Sequence, residues 1–89
     1  MYDGIGTIIY YDVPITPDKI EAFFVDDHFE AFVRFKKEPF DLHIKFHPND
    51  TMIEFLINEF QENRGTWDIH EFKSLGIISD FRELRKSPD

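Results

Sequence analysis

Histidines, neighbouring carboxylates and glycine-flanked loops are where this chain has side chains able to do chemistry. His43 and His47 stand four residues apart, a spacing that on a helix would turn both imidazoles to one face, as two ligands of a zinc or nickel ion require. On a strand the same pair also shares a face, but at ~3.3 Å per residue the two lie about 13 Å apart, too far to hold one ion. The surrounding residues alternate in strand fashion, so the pair reads as polar decoration of a solvated sheet face. A metal site would then have to recruit His70, Asp68 or Asp41 from neighbouring elements.

Hydrolysis needs a placed base together with a nucleophile or a second carboxylate. His70 beside Glu71, and Asp26 beside Asp27, are the nearest candidates. Neither sits in a recognisable motif, and adjacent acids in a turn are usually just solvated. The glycines of Asp3-Gly4-Ile5-Gly6-Thr7 precede the first strand, whereas a phosphate-binding loop follows a strand and opens a helix. Ser74, Ser79 and Ser87 lack the glycine elbow of a nucleophilic serine. With no cysteine in the chain, thiol catalysis, cysteine-ligated zinc, iron–sulfur clusters and disulfides are all excluded. No cofactor is expected, and the expectation is a protein that is not an enzyme.

Eighty-nine residues with eleven Phe, three Tyr and one Trp give room for one domain, residues 1–89, with one aromatic-rich core. The apolar stretches are far shorter than the roughly 20 residues of a membrane helix. The start, Met1-Tyr2-Asp3-Gly4, lacks the basic and apolar runs of a signal peptide, which makes the cytoplasm the expected address. A net charge of −8 argues against direct binding to nucleic acid or anionic lipid, both of which need a basic footprint. The charge comes in blocks: −6 over residues 1–33, +2 over 34–46, −5 over 47–72 and +1 over 73–89. Such blocks can separate into opposed faces on folding. Aromatics and bases interleave from Phe32 to Phe46, a superficial likeness to a nucleic-acid platform, but alternating Phe is more often core.

The elements that would position these residues follow from periodicity. Ile5 to Val13, rich in β-branched and aromatic residues, predicts a strand. Thr16-Pro17-Asp18 fits a helix start running to about Phe24, or alternatively a turn before a strand from Ile20 to Val25, with the helix preferred. Phe29, Ala31, Val33 and Phe35 alternate with polar residues, Phe32 excepted, and Phe40, Leu42, Ile44 and Phe46 alternate again beyond a Lys37-Glu38-Pro39 connection. Thr51 and Glu54 form a capping box for a helix over 51–64, with Ile53, Leu56, Ile57 and Phe60 on one face and Arg64-Gly65 closing it. A short strand or extended loop around Trp67 to Phe72, a helical turn or two from Ser79 through Lys86, and fraying at 87–89 complete the chain. The expected fold is α+β: an antiparallel sheet of three to four strands with the 51–64 helix on its apolar face and a short C-terminal helix.

The functional expectation is a non-enzymatic, acidic protein-binding module. Asp26, Asp27 and Glu30 near the first hairpin, and Asp50, Glu54, Glu59 and Glu62 on the helix, would meet a basic protein surface. Such a partner groove includes one that normally holds nucleic acid, so inhibitors, immunity proteins, phage-encoded antagonists and DNA mimics fit the description. The competing expectation is a small-molecule or metal-binding regulatory domain, or a minor enzyme, using His43, His47 and His70. Surplus apolar surface on so small a domain also allows a homodimer.

Overall fold

The computed structural model describes residues 5–47, 52–62 and 64–86. It is α+β with two sheets. Strands β1 (Thr7–Tyr10), β2 (Val13–Ile15) and β6 (Thr66–Asp68) form a three-stranded sheet in the order β2-β1-β6; β1 runs antiparallel to β2 and parallel to β6. Strands β3 (Ile20–Val25), β4 (Glu30–Phe35), β5 (Phe40–Phe46) and β7 (Ile78–Arg85) form a four-stranded antiparallel sheet in that order. Helices α1 (Met52–Gln61) and α2 (Ile69–Ser74) complete it.

The two alternations decide which face of the four-stranded sheet is inside. Ala31, Val33 and Phe35 of β4 and Leu42, Ile44 and Phe46 of β5 are all buried, because period 2 sends every second side chain to one face. Onto that inner face α1 lowers Ile53, Ile57 and Phe60, while the three-stranded sheet contributes Ile8, Tyr10, Ile15 and Trp67. Trp67 is the hub: its ring stacks on Phe60 at 4.2 Å and meets Phe46 edge-on at 5.2 Å and Phe23 at 5.7 Å. These offset and perpendicular geometries are the favourable ones for aromatic quadrupoles. Leu56, expected on the apolar face of α1, is only half-buried.

Several local expectations change. The Ile5–Val13 run is a strand only as far as Tyr10. Tyr11 (φ 51°) and Asp12 (φ 65°) then make a two-residue turn with both residues left-handed, so the chain doubles back as β2. Residues 17–25 take the alternative reading, one 3-10 turn over Pro17–Lys19 followed by a strand, because β3 pairs with β4. The strand at Trp67 lasts three residues, and Asp68 then caps α2 by accepting the Glu71 amide at 3.2 Å.

The short second helix therefore lies at 69–74 rather than at the C-terminus. It ends in a Schellman motif: the Gly76 amide donates to the Lys73 carbonyl at 3.1 Å and the Ile77 amide to the Phe72 carbonyl at 2.9 Å, with Gly76 at φ 83°. The expected helical turns from Ser79 are instead strand β7, whose pairing with β5 closes an otherwise open sheet edge. Gly65 does not cap α1 in a left-handed conformation. Helix α1 ends at Gln61, and the Gly65 carbonyl accepts the Thr7 amide at 3.1 Å. The Thr51 half of the capping box, Asp50 and residues 87–89 lie outside the described residues.

Candidate functional site

The three histidines do not converge. His43, in the middle of β5, points to the outer face of the four-stranded sheet, where its Nε2 donates to the Glu30 carboxylate at 2.9 Å and its ring packs on Phe32 at 4.6 Å. At 5% exposure it is buried, so the outer face is not the plain solvated surface expected from the alternation. His70 belongs to the inner side: its ring lies 4.1 Å from Tyr11 and 5.2 Å from Phe81, which pairs with Ile44 on the inner face. Its Nε2 is buried without a hydrogen-bond partner among the described residues. His47 is exposed just beyond β5. Among the described residues, no three His, Asp or Glu side chains gather as a metal site needs.

Next to His70, the Tyr10 hydroxyl donates to Glu83 Oε2 at 2.7 Å. The Tyr10 phenol is pushed above its usual value, first by burial and then by that hydrogen bond to a carboxylate. Tyr10 also touches Tyr11, Phe40 and Phe81, so the pair serves to tie β1 to β7.

The outer face of the four-stranded sheet has a different character. The three-stranded sheet, α1 and α2 all meet inner-face residues, through Trp67 on Phe46, Phe60 on Phe23 and His70 on Phe81. Across the outer face the register lines up Phe24, Phe32, His43 and Arg82 in one row over β3, β4, β5 and β7. Phe24 stacks on Phe32 at 5.5 Å with the rings 21° apart, yet stays 59% exposed. A neighbouring row holds Arg34 and Asp41, joined by two hydrogen bonds of 3.1 and 3.3 Å. Between the rows lies a shallow groove of about 250 Å³ bordered by Ala22, Phe24, Phe32 and Arg34.

The expected acidic residues divide into three situations. Asp26 closes the β3–β4 turn: its carboxylate accepts the His28 amide at 2.9 Å and the Glu30 amide at 3.1 Å, and these bonds, that from Glu30 foremost, hold its carboxyl below the usual range. Asp27 is exposed in the same turn, next to the Phe24 row, and Glu30 is held by His43. On α1, Glu54 and Glu62 are exposed and Glu59 is half-buried; Glu62 pairs with Arg64.

Strand pairing also sorts charge along the strand axis. The β4–β5 turn end of the four-stranded sheet collects Lys19, Arg34, Lys36, Lys37, Arg85 and Lys86, six of the ten lysines and arginines, against Asp18, Glu21, Glu38 and Asp41. The opposite end, up to and including the Phe24 row, holds Asp26, Asp27, Glu30 and Asp80 against Lys45 and Arg82 among the described residues. The alternating blocks of the sequence thus become an acidic end and a basic end. Sequence reasoning missed the Phe24–Phe32 stack; its one signal was that Phe32 broke the alternation of β4. No protein-family model, no curated protein and no solved structure matches the chain.

Proposed function

We propose that the chain is a non-enzymatic protein-binding module that docks the outer face of its four-stranded sheet, at the acidic end, onto a basic surface of a partner protein. The observation that carries this reading is the Phe24–Phe32 stack, more than half exposed at Phe24, beside the Asp26-Asp27 turn and Glu30. An exposed aromatic with two rotatable bonds is the kind of anchor on which interface energy concentrates. Its π face also accepts an arginine or lysine from the partner, which the neighbouring carboxylates complement. Glu54, Glu59 and Glu62 lie on α1, which packs on the inner face of the sheet through Phe60 on Phe23, so they act by long-range attraction rather than by contact.

The test is affinity capture from the native host with three baits: wild type, Phe24→Ala and Asp27→Lys. Both variants alter exposed side chains and leave the core intact, which circular dichroism checks. A basic protein retained by wild type and lost, or weakened at least about tenfold, with each variant supports the reading, a tenfold change being about 1.4 kcal/mol. Equal retention by all three baits contradicts it. So does a wild-type chain whose outer face is already occupied in a self-associated dimer.

A further inference from the structure

At the basic end, β2, the 3-10 turn and the β4–β5 turn enclose a cleft of about 410 Å³. That falls in the range of small-ligand sites, roughly 300 to 1,000 Å³. Its apolar side is Val13 and Pro14 over a floor where Ile15 and Phe35 come to the surface only at their edges, and its cationic residues are Lys19, Lys36 and Lys37. Ile15 and Phe35 are almost wholly buried in the core, whereas Val13 is left 57% exposed at the mouth. An isolated strand-edge valine so exposed is ordinary; one that lines the same cleft as three lysines is a place for a ligand with two characters.

The rim is held in position by the backbone. The Lys19 amide donates to the Thr16 carbonyl at 2.9 Å, the Lys36 amide to the Lys19 carbonyl at 3.0 Å, and the Lys86 amide to the Pro39 carbonyl at 3.0 Å. The Lys86 ammonium caps the Phe35 carbonyl. Lys19, Lys36 and Lys37 make no ion pair among the described residues. The lining also holds two acids, Asp18, which accepts the hydroxyl of Thr16 and lies within electrostatic reach of Lys19 and Lys36, and Glu38, so the cations exceed the acids by three to two inside a chain of net charge −8. A backbone held in this way confines the ordering cost of binding to the lysine side chains.

We infer that this cleft binds a small amphipathic anion, an apolar chain or ring ending in a carboxylate, with the apolar body on Val13, Pro14 and the exposed edge of Ile15 and the carboxylate among Lys19, Lys36 and Lys37. This site lies at the opposite end of the sheet from the proposed protein-docking face and is independent of it.

The experiment titrates decanoate, and separately decanol, into the full chain and follows amide shifts by NMR. Proteins compared are wild type, Lys36→Glu with Lys37→Glu, Val13→Asp, and Lys73→Glu on the distant α2 as a charge control. The expected result is one saturable decanoate site with shifts centred on residues 13–19 and 35–38. Decanol and the Lys36/Lys37 double variant should each bind about tenfold more weakly or worse, Val13→Asp should lose binding, and Lys73→Glu should match wild type. Absence of saturable binding overturns the inference. It is equally overturned by decanol binding as tightly as decanoate, by indifference to the charge reversal, or by shifts centred on Phe24 instead.

Discussion

Replacing Gly6 with alanine should destabilise the fold far more than a single methyl group suggests. A Cβ at Gly6 would lie 2.1 Å from the Gly65 carbonyl oxygen and 2.9 Å from a ring carbon of Phe60. Real Cβ contacts stay beyond about 3 Å, so the chain must open by almost 1 Å, and the atom in the way is backbone rather than a side chain that can swing aside. Two backbone hydrogen bonds cross this junction, from the Gly6 amide to the Phe60 carbonyl at 2.8 Å and from the Thr7 amide to the Gly65 carbonyl at 3.1 Å. Each is worth about 1 kcal/mol net and more if its buried partner is left unsatisfied. Overpacking against Phe60 adds roughly 1 to 3 kcal/mol. The expected loss is therefore about 3 to 5 kcal/mol, a large share of the total stability of a small domain. Urea denaturation followed by Trp67 fluorescence measures it. The control is Gly76→Ala, where nothing lies within 4 Å and only the φ of +83° opposes a side chain, so a loss of about 1 to 2 kcal/mol is expected. If Gly6→Ala unfolds within about 0.5 kcal/mol of wild type, the close approach of β1 to the end of α1 is wrong.

Ile57, 7% exposed in the core, should cost about 2 to 5 kcal/mol when changed to alanine, whereas half-buried Leu56 should cost roughly 1 kcal/mol; equal losses in chemical denaturation would show that the helix face is rotated. Tyr10 makes stability depend on alkaline pH: its folded pKa is raised, so the contribution is complete below the unfolded value near 10 and is lost as pH rises above it. Stability of wild type minus Tyr10→Phe, measured from pH 8 to 11, should therefore decline through the upper part of that range, and a flat difference would remove burial and Glu83 as influences on the phenol.

The parts of the fold legible in the sequence were those where one face is fully buried. The alternations at 29–35 and 40–46 and the 3.6-residue period at 53–60 fixed three elements, their faces and most of the core. Misreadings fall where a tertiary partner outvotes a local pattern. Phe81 and Leu84 are three apart, as on a helix, yet β7 forms because the edge of β5 offers a row of unpaired backbone groups. The turn at Tyr11-Asp12 was invisible because a tyrosine rarely takes a left-handed φ and no glycine follows Asp12 to mark the turn. Asp68 and Glu71 did carry a helix-start pattern, hidden within a segment that also alternates. Of the candidate site, the acids were legible as composition, but their gathering at one end depends on β3 and β7 pairing around β4 and β5. Phe24 was unreadable for the same reason: only the register of β3 against β4 sets its ring on Phe32.

The central claim is that the outer sheet face at the acidic end binds a basic partner, and the association rate of the captured partner as a function of salt tests it most directly. Charges that steer encounter are screened over about 10 Å at 0.1 M salt. The wild-type rate should fall steeply as salt rises, with a weaker slope for Asp27→Lys, and for Phe24→Ala an unchanged slope with faster dissociation, because the ring anchors but does not attract from a distance. A rate flat in salt and a dissociation rate indifferent to Phe24→Ala would contradict it.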